Sequence, residues 1–210
     1  MEIQWIAHSC FLFKNSKGKK LLTDPFDESV GYNTFQGDVD IITTSHNHFD
    51  HCYTEKIKYK NLINTAGFYK LFEMNIWGIP SYHDKVQGAK RGENIIFIIE
   101  MDDYRICHLG DIGYILTENE LKKLGNIDIL LIPIGGNFTI NGKEAAKLAK
   151  AINSHIVIPM HYKTSCLTFE LEGLEEFLKY MKNGNRIKSN ILKIETKLSD
   201  YNVVTILNFT

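Results

Sequence analysis

The feature that most constrains this chain is the run DVDIITTSHNHFDHCYT, which covers residues 38–54. Its first half is apolar and β-branched, as in a buried strand, whereas its second half contains His46, His48, Asp50 and His51. Three imidazoles and a carboxylate so close together compete for the same protons and pack poorly. They are, however, the ligands that borderline metals such as Zn²⁺ bind. The run therefore predicts a strand that ends in a metal site.

The spacing within this run indicates more than one ion. In an extended or turn segment, the side chains of His46 and His48 point to the same side and can chelate one ion. Asp50 and His51 lie past a turn, where they can reach a second ion close to the first.

Three further stretches begin as apolar strands and end in a residue that can bind metal. They are GIPSYHD with His83, YRICHLGD with Asp111 and IVIPMHY with His161. Strand ends often project into one shared rim, where α/β proteins usually build their sites. We expect Asp111 to bridge two ions, and His83 and His161 to supply the remaining ligands.

Strand signals dominate the first half of the chain, with a short helical stretch expected between DVDIITTS and NLINTA. Helical signals come later: Thr117 and Glu120 form a predicted capping box in LTENELKKLG, and GKEAAKLAKAIN and LEGLEEFLKYMKNG are amphipathic. Amphipathic helices that cover sheets predict a layered α/β or α+β fold. The 210 residues contain no linker or repeat, so we expect a single domain over residues 1–210.

Composition narrows the classes of function. The formal net charge is −1, and no long basic run is present, which argues against nucleic acid or an anionic membrane as the main partner. No segment approaches the roughly 20 apolar residues that span a bilayer. The N-terminus has no signal-peptide pattern, and the four cysteines are scattered without a C-x-x-C pair. We therefore expect a cytoplasmic protein with reduced thiols.

The order of these motifs resembles the metallo-β-lactamase superfamily: H-x-H-x-D-H, a later histidine, a GD aspartate and a final strand-end histidine. More narrowly, HSCFLF, TDPF, HLGDIG, PIGGNFTINGKEAA and IPMHY are similar to segments of small metal-dependent hydrolases related to ascorbate-6-phosphate lactonase. The similarity runs from about Trp5 to Tyr162.

The resemblance implies a four-layer αββα sandwich of two mixed β-sheets, with a binuclear site on its upper edge. It assigns one metal to His46, His48 and His83. It assigns the second to Asp50, His51 and His161, with Asp111 as the bridge. The resemblance implies two divalent metal ions. Zinc is the expected metal, and manganese, iron and nickel are the alternatives. His48 stands where diiron oxidoreductases of the superfamily carry glutamate, which favours a hydrolytic ligand set.

Three residues outside this set are weaker candidates for contact with substrate or with the ligands. His8 in IAHSCF matches a family histidine, but hairpin packing explains it equally well. Asn137 follows two glycines that permit close backbone approach to a ligand, and a simple turn residue is the alternative. Tyr162 either leans over the site or is structural. The aromatic loop PFDESVGYNTFQGD either covers the pocket or packs locally.

The function that these observations favour is metal-dependent hydrolysis of an ester, lactone, amide or phosphodiester bond in a small, anionic substrate. A hydroxide bridging two ions would be the nucleophile because metal ions lower the pKa of bound water, and Asp50 would aim it as a catalytic residue. Two alternatives remain: a metal- or ligand-binding protein without turnover, and a diiron redox protein, which His48 disfavours. The sequence leaves a homo-oligomer open.

Overall fold

Strands make up most of the computed structural model, which describes residues 1–195 and 198–209. The strands are β1 (Glu2–Ala7), β2 (Cys10–Lys14), β3 (Lys20–Thr23), β4 (Ile41–Thr43), β5 (Asn61–Ile63), β6 (Gly67–Leu71), β7 (Met74–Tyr82), β8 (Glu93–Met101), β9 (Tyr104–His108), β10 (Ile129–Pro133), β11 (Ile156–Met160), β12 (Gly184–Arg186), β13 (Ile191–Lys193) and β14 (Val203–Ile206). The α-helices are α1 (Glu118–Leu124), α2 (Gly142–Ile152) and α3 (Leu174–Met181), and a short 3₁₀ helix covers Glu28–Val30.

The strands form two mixed sheets. The first has six strands in the order β13-β1-β2-β3-β4-β5, and the second has eight in the order β12-β14-β11-β10-β9-β8-β7-β6. In the first sheet, pairing changes from antiparallel to parallel at β3. In the second sheet it changes at β9. The layered α/β fold predicted from the sequence is confirmed.

Alternation along the strands gives the first sheet two buried faces. On β3 and β4, Leu21 and Ile41 belong to the large core that includes the second sheet, whereas Leu22 and Ile42 face a smaller cluster on the other side. Successive side chains of a strand point to opposite faces, so every position of β4, and every position of β3 after Lys20, is buried. The sequence shows this as unbroken apolar runs rather than as alternation.

The outer layers of the two sheets differ. Helices α2 and α3 pack on the second sheet, and the buried face of α2 includes Ala145, Ala146, Leu148 and Ala149. Among the described residues, the outer face of the first sheet is covered by the 3₁₀ helix and by loops. Phe26, Tyr32 and Ile57 of these segments belong to the smaller cluster. The aromatic loop after β3 therefore packs locally on this sheet.

The predicted capping box of α1 is present, with Thr117 and Glu120 each bonding the other's backbone N–H. The prediction of a short helix before β5 is wrong, because residues 46–60 form turns and bends. A regular helix would spread the side chains of residues 46–51 around its axis, whereas here they converge on one point. None of the helices that the structure describes is both long enough and apolar enough to cross a bilayer.

Candidate metal centre

Five strands end at one edge of the two sheets, and each is followed by a residue of the candidate site. These strands are β3, β4, β7, β9 and β11, and the residues are Asp24, His46, His83, Asp111 and His161, respectively. Parallel strands present their carboxyl ends on the same edge. The switch from antiparallel to parallel pairing in each sheet therefore gathers side chains that lie far apart in the sequence.

The side chains form two groups of potential ligands, which are linked by a third group that overlaps both. In the first, ligand atoms of His46, His48 and His83 lie within 4.8 Å of one another. In the second, the same holds for His8, Asp50, His51 and His161. A third overlapping group contains His46, His51 and Asp111. The structure thus brings together all seven residues predicted to bind metal. His46, His48 and His83 form one group, Asp50, His51 and His161 form another together with His8, and Asp111 belongs to the third.

Asp111 lies between the two sets. Its Oδ2 is 3.2 Å from Nε2 of His83 in the first set. The same oxygen is 3.3 Å from Nε2 of His51 and 3.1 Å from Nε2 of His161 in the second set. A carboxylate that touches imidazoles of both sets occupies the position expected of a bridging ligand.

Several of the candidate donor atoms fit a metal because they are buried and have no hydrogen-bond partner among the described residues. Among the described residues, the buried atoms without a hydrogen-bond partner include His46 Nε2, His51 Nε2, His161 Nε2 and Asp111 Oδ1. Such atoms cost free energy unless they are paired. Their clustering around Asp111 matches the imidazole and carboxylate chemistry that divalent ions bind.

A buried aspartate that is not itself in the ligand set orients one histidine of each set. Asp24 Oδ2 lies 2.9 Å from His51 Nδ1 and accepts a 2.7 Å hydrogen bond from the Ser45 hydroxyl. Because that hydroxyl donates to Asp24, it can only accept from His46 Nδ1, 2.9 Å away. Both imidazoles thus carry a proton on Nδ1, which makes Nε2 the atom that can bind a metal. Hydrogen bonds of this kind fix ring orientation and raise ligand basicity.

His8 supports the second set. It is fully buried, and its Nε2 lies 3.1 Å from Oδ2 of Asp50, while its ring centroid is 4.1 Å from that of His161. Burial, followed by the nearby His161, lowers the pKa of His8 to about 4. The ring is therefore neutral at pH 7, and Nε2–H donates to the Asp50 carboxylate. Of the two interpretations open for His8, the contact with Asp50 favours a role beside the ligands.

The electrostatics of the cluster favour ionised carboxylates and a neutral imidazole at His46. Burial raises the pKa of Asp111, but the nearby His161 and His51 outweigh it and hold that pKa well below its usual range. Burial and the neighbouring His51 lower the pKa of His46 to about 3. Metal ligands must be in these protonation states. Burial lowers the pKa of His51, but the nearby Asp111 and Asp50 outweigh it and raise that pKa well above its usual value, so a metal ion must displace a proton from His51.

The turn that carries Asp111 is built around two buried polar side chains. Asn94 Oδ1 accepts from the backbone N–H of Asp111 at 2.9 Å, and His108 Nδ1 accepts from that of Gly110 at 3.1 Å. Gly110 has a φ of 55°, and a Cβ there would collide with Asn94 and Ser45. Only glycine fits this combination of positive φ and close approach.

Backbone conformation marks the same edge. His8, Asp24 and His161 have φ values of 53°, 41° and 50°, in the left-handed region that residues other than glycine seldom adopt. Such residues cluster at functional sites, where the surrounding structure holds them.

A cleft of about 450 Å³ opens beside the cluster. Its polar lining includes His48, Asp50, His83 and Asp111, and its other walls are formed by Asn47, Phe49, Arg91, Phe138 and Phe169. A volume in this range suits a small molecule.

The contacts of the other two weak candidates are with residues outside the ligand set. Asn137 is a turn residue with a φ of 50°, and its side-chain amide donates to the carbonyl of Glu170 at 3.1 Å. Tyr162 is buried in the core, with its ring centroid 5.5 Å from that of Trp5. The contacts of each fit the structural alternative.

Sequence reasoning missed Asp24, Ser45, Asn94 and Arg91. Asp24 lies in TDPF, directly after a strand like the other site residues, and that position is a signal that could have identified it. Arg91 lies in a loop of ordinary polar composition, and nothing local distinguishes it from Lys90.

Two mixed β-sheets with helices, and a histidine and aspartate cluster at their shared edge, define the metallo-β-lactamase fold. The family model described as "Beta-lactamase superfamily domain" matches residues 2–161, and the chain belongs to this family.

The similar proteins narrow the class further. A UPF0173 metal-dependent hydrolase of Caldivirga maquilingensis is 30% identical, with 77% of this chain and 82% of that protein covered. A UPF0173 metal-dependent hydrolase of Pyrococcus abyssi is 31% identical, with coverage of 78% and 85%. A crystal structure from Thermotoga maritima, described as a Zn-dependent hydrolase of the metallo-β-lactamase superfamily, is 35% identical. It superposes with a TM-score of 0.83 over 98% of both chains.

Proposed function

We propose that this chain is a metal-dependent hydrolase that uses two divalent ions to cleave an ester, lactone or phosphodiester bond of a small anionic substrate. Zinc is the favoured identity of both ions. The observation that carries this proposal is the pair of ligand groups joined through Asp111 at the wall of a cleft. The relatives named as metal-dependent hydrolases support the reaction class.

The candidate ligands divide into two sets, one for each ion, and one bridging residue. His46, His48 and His83 would hold one ion, Asp50, His51 and His161 would hold the other, and Asp111 would contact both. When bound, such ions activate water at neutral pH and polarise the oxygen of the attacked group. Asp24 keeps Nε2 of His46 and of His51 directed inwards, which lowers the cost of assembling the site.

Asp50 is the proposed catalytic residue of the chain. Its carboxylate lines the cleft, and Oδ2 is held by His8 Nε2 at 3.1 Å. A neutral His8 donates this hydrogen bond, so Asp50 stays ionised and can accept a hydrogen bond from the attacking water. The contact also fixes the direction from which that water approaches the substrate.

The charge of the site favours anions. Two divalent ions bring four positive charges, and Asp50 and Asp111 return two negative ones, while the histidine ligands must be neutral to bind. A cationic site in a partly enclosed cleft attracts anionic groups and stabilises negative charge on the attacked oxygen.

Elemental analysis with an activity panel tests the proposal. We expect two metal ions per chain after loading with Zn²⁺ or Mn²⁺ and removal of the excess. We also expect turnover of lactones, esters or phosphodiesters that a chelator abolishes. Trace metal after loading would contradict the site. Full metal content without turnover of any member of the panel would instead support a binding protein.

Matched charged and neutral substrates test the preference for anions. We expect the anionic member of each pair to have the higher kcat/KM, with an advantage that shrinks as salt is raised. A neutral substrate that is preferred at every salt concentration would show that pocket shape outweighs charge.

A further inference from the structure

Arg91 is the side chain that gives the cleft a positive charge from the protein itself. It lines the same cleft as His83 and Asp111. Its guanidinium carbon lies 4.4 Å from the ring centroid of Phe138, which is a cation–π distance. Stacking on an aromatic ring holds the guanidinium plane in place and leaves its N–H groups free at the edge.

Within residues 1–195 and 198–209, the guanidinium has no protein counter-ion, because no carboxylate lies within 4 Å of its nitrogens. Lys85 of the same loop, in contrast, pairs with Glu144. A half-buried arginine without an acidic partner, beside a cluster of metal ligands, is available for an anion from outside the protein.

The backbone around Arg91 is tied to a metal-ligand strand. Asp84, the residue after His83, accepts hydrogen bonds from four backbone N–H groups, those of Val86, Gly88, Lys90 and Arg91. The bond from Arg91 is 2.8 Å long. The loop is therefore wrapped around one carboxylate, and the start of the Arg91 side chain keeps a fixed position relative to His83.

An apolar surface separates Arg91 from the far side of the cleft. The Phe138 and Phe169 ring centroids are 6.1 Å apart, and those of Phe169 and Phe49 are 6.3 Å apart. Phe49 is 54% exposed, so its ring is accessible to a ligand. The three rings form a continuous wall that begins beneath the guanidinium.

We propose that Arg91 is the specificity-determining residue of this site. It binds an oxyanion group of the substrate, carboxylate or phosphate, while Phe49, Phe138 and Phe169 hold an apolar segment between that group and the bond to be cleaved. The inference rests on the proposed hydrolase function and names the class of its substrate. Arginine suits this task because its planar fork matches two oxygens of a carboxylate or a phosphate.

Binding to the metal-loaded protein tests the proposal without turnover. The probes are 4-phenylbutyrate, 3-phenylpropyl phosphate and the neutral 4-phenylbutyramide, titrated by calorimetry. We expect Arg91→Met to lower the affinity for the preferred anion by about ten- to a hundredfold. Its affinity for the amide should fall by less than about twofold. The anion with the larger loss identifies carboxylate or phosphate as the natural group. Arg91→Lys keeps the charge but loses the planar fork of the guanidinium, so its affinity for the anion should lie between those of the parent and of Arg91→Met.

Lys90→Met is the matched control, because it removes the same charge from the neighbouring, exposed position. We expect it to bind every probe as the parent does. Equal losses for anion and amide in Arg91→Met, or equal effects of the two methionine variants, would overturn the proposal. So would failure of the parent to bind either anion. Thermal unfolding of each variant identifies any that is misfolded, and Arg91→Lys then provides the comparison.

A turnover experiment separates this inference from the proposed function. The substrates are 4-nitrophenyl hydrogen glutarate and its neutral methyl ester, which share a leaving group. We expect Arg91→Met to reduce the kcat/KM ratio of charged to neutral ester by about tenfold or more. Unchanged discrimination in an active enzyme would overturn the role of Arg91 alone. Arg91-dependent anion binding without turnover of the wider panel would overturn the hydrolase alone.

Discussion

Asp111 and Asp24 are both buried aspartates at strand ends, but their neighbours give them different tasks. Asp111 Oδ2 faces imidazole nitrogens of both ligand groups, and Oδ1 has no hydrogen-bond partner among the described residues. Asp24 has both oxygens engaged, by the backbone N–H and hydroxyl of Ser45 and by His51. One carboxylate is open to metal, and the other is closed by hydrogen bonds.

Asp111→Ala should lose more metal than His83→Ala. Asp111 contacts both proposed ion positions, whereas His83 belongs to one of them. We expect the aspartate variant to fall towards an empty site and the histidine variant to keep about one ion per chain, as measured by elemental analysis after dialysis. Parental occupancy in Asp111→Ala would show that the bridge lies elsewhere.

Asp24→Asn should weaken metal binding without unfolding the protein. The amide keeps the size of the side chain but cannot accept from Ser45 and His51 as an anion does, so the two imidazoles lose their fixed tautomer. Loss of such a partner typically costs about ten- to a hundredfold in metal affinity, which chelator competition measures. Asp38→Asn, the same substitution at an exposed position, is the control and should leave the affinity unchanged.

At the scale of elements, the site depends on where strands stop and helices start. Helix α2 begins directly after the loop that carries Phe138, and its first turn is fixed by Asn141. The Asn141 side chain accepts from the backbone N–H of Glu144 at 2.9 Å, and the Glu144 carboxylate bonds the Asn141 backbone in return. This capping box sets the direction in which the chain leaves the edge of the second sheet.

Asn141→Ala should lower the free energy of unfolding by about 1 kcal/mol, because the helix loses its N-terminal acceptor. Urea unfolding followed by circular dichroism measures the difference. Asn141→Asp keeps an acceptor at the same place and puts a negative charge at the helix N-terminus, so its stability should equal or exceed that of the parent. Identical midpoints for the alanine variant and the parent would contradict the role of the cap.

At the scale of the whole molecule, the fold and the metal site are supported separately. The large core joins both sheets to the helices through residues such as Phe13, Ile98, Leu131 and Phe177, all fully buried. The ligand cluster sits at the edge of this core. We therefore expect the sheets to persist without metal.

Removal of metal should lower the melting temperature while leaving the secondary structure in place. A ligand at about a thousand times its Kd stabilises the native state by about 4 kcal/mol, which corresponds to roughly 8 to 16 °C in a domain of this size. Differential scanning fluorimetry with and without Zn²⁺, together with far-UV circular dichroism after chelation, measures both parts. In Asp111→Ala, the addition of Zn²⁺ should change the melting temperature only slightly. Loss of the strand signal on chelation would contradict the separation of core and site.

The sequence by itself determined the fold class and the predicted ligand set. Ligand residues at the ends of apolar strands are a local signal, because the strand and the chemistry are adjacent in the chain. The H-x-H-x-D-H run and the later His83, Asp111 and His161 could be found in this way. The capping box of α1 was equally local, since its two members lie three residues apart.

Only the tertiary structure decided how the groups support one another. Asp24 and His51 are 27 residues apart, and His8 and Asp50 are 42 apart, yet each pair is in contact. Arg91 became notable only when the fold placed it in the cleft on Phe138, with no carboxylate of the described residues within 4 Å of its guanidinium nitrogens. Hydrogen bonds and stacking between distant segments depend on sheet order and register, which local propensity and periodicity do not specify.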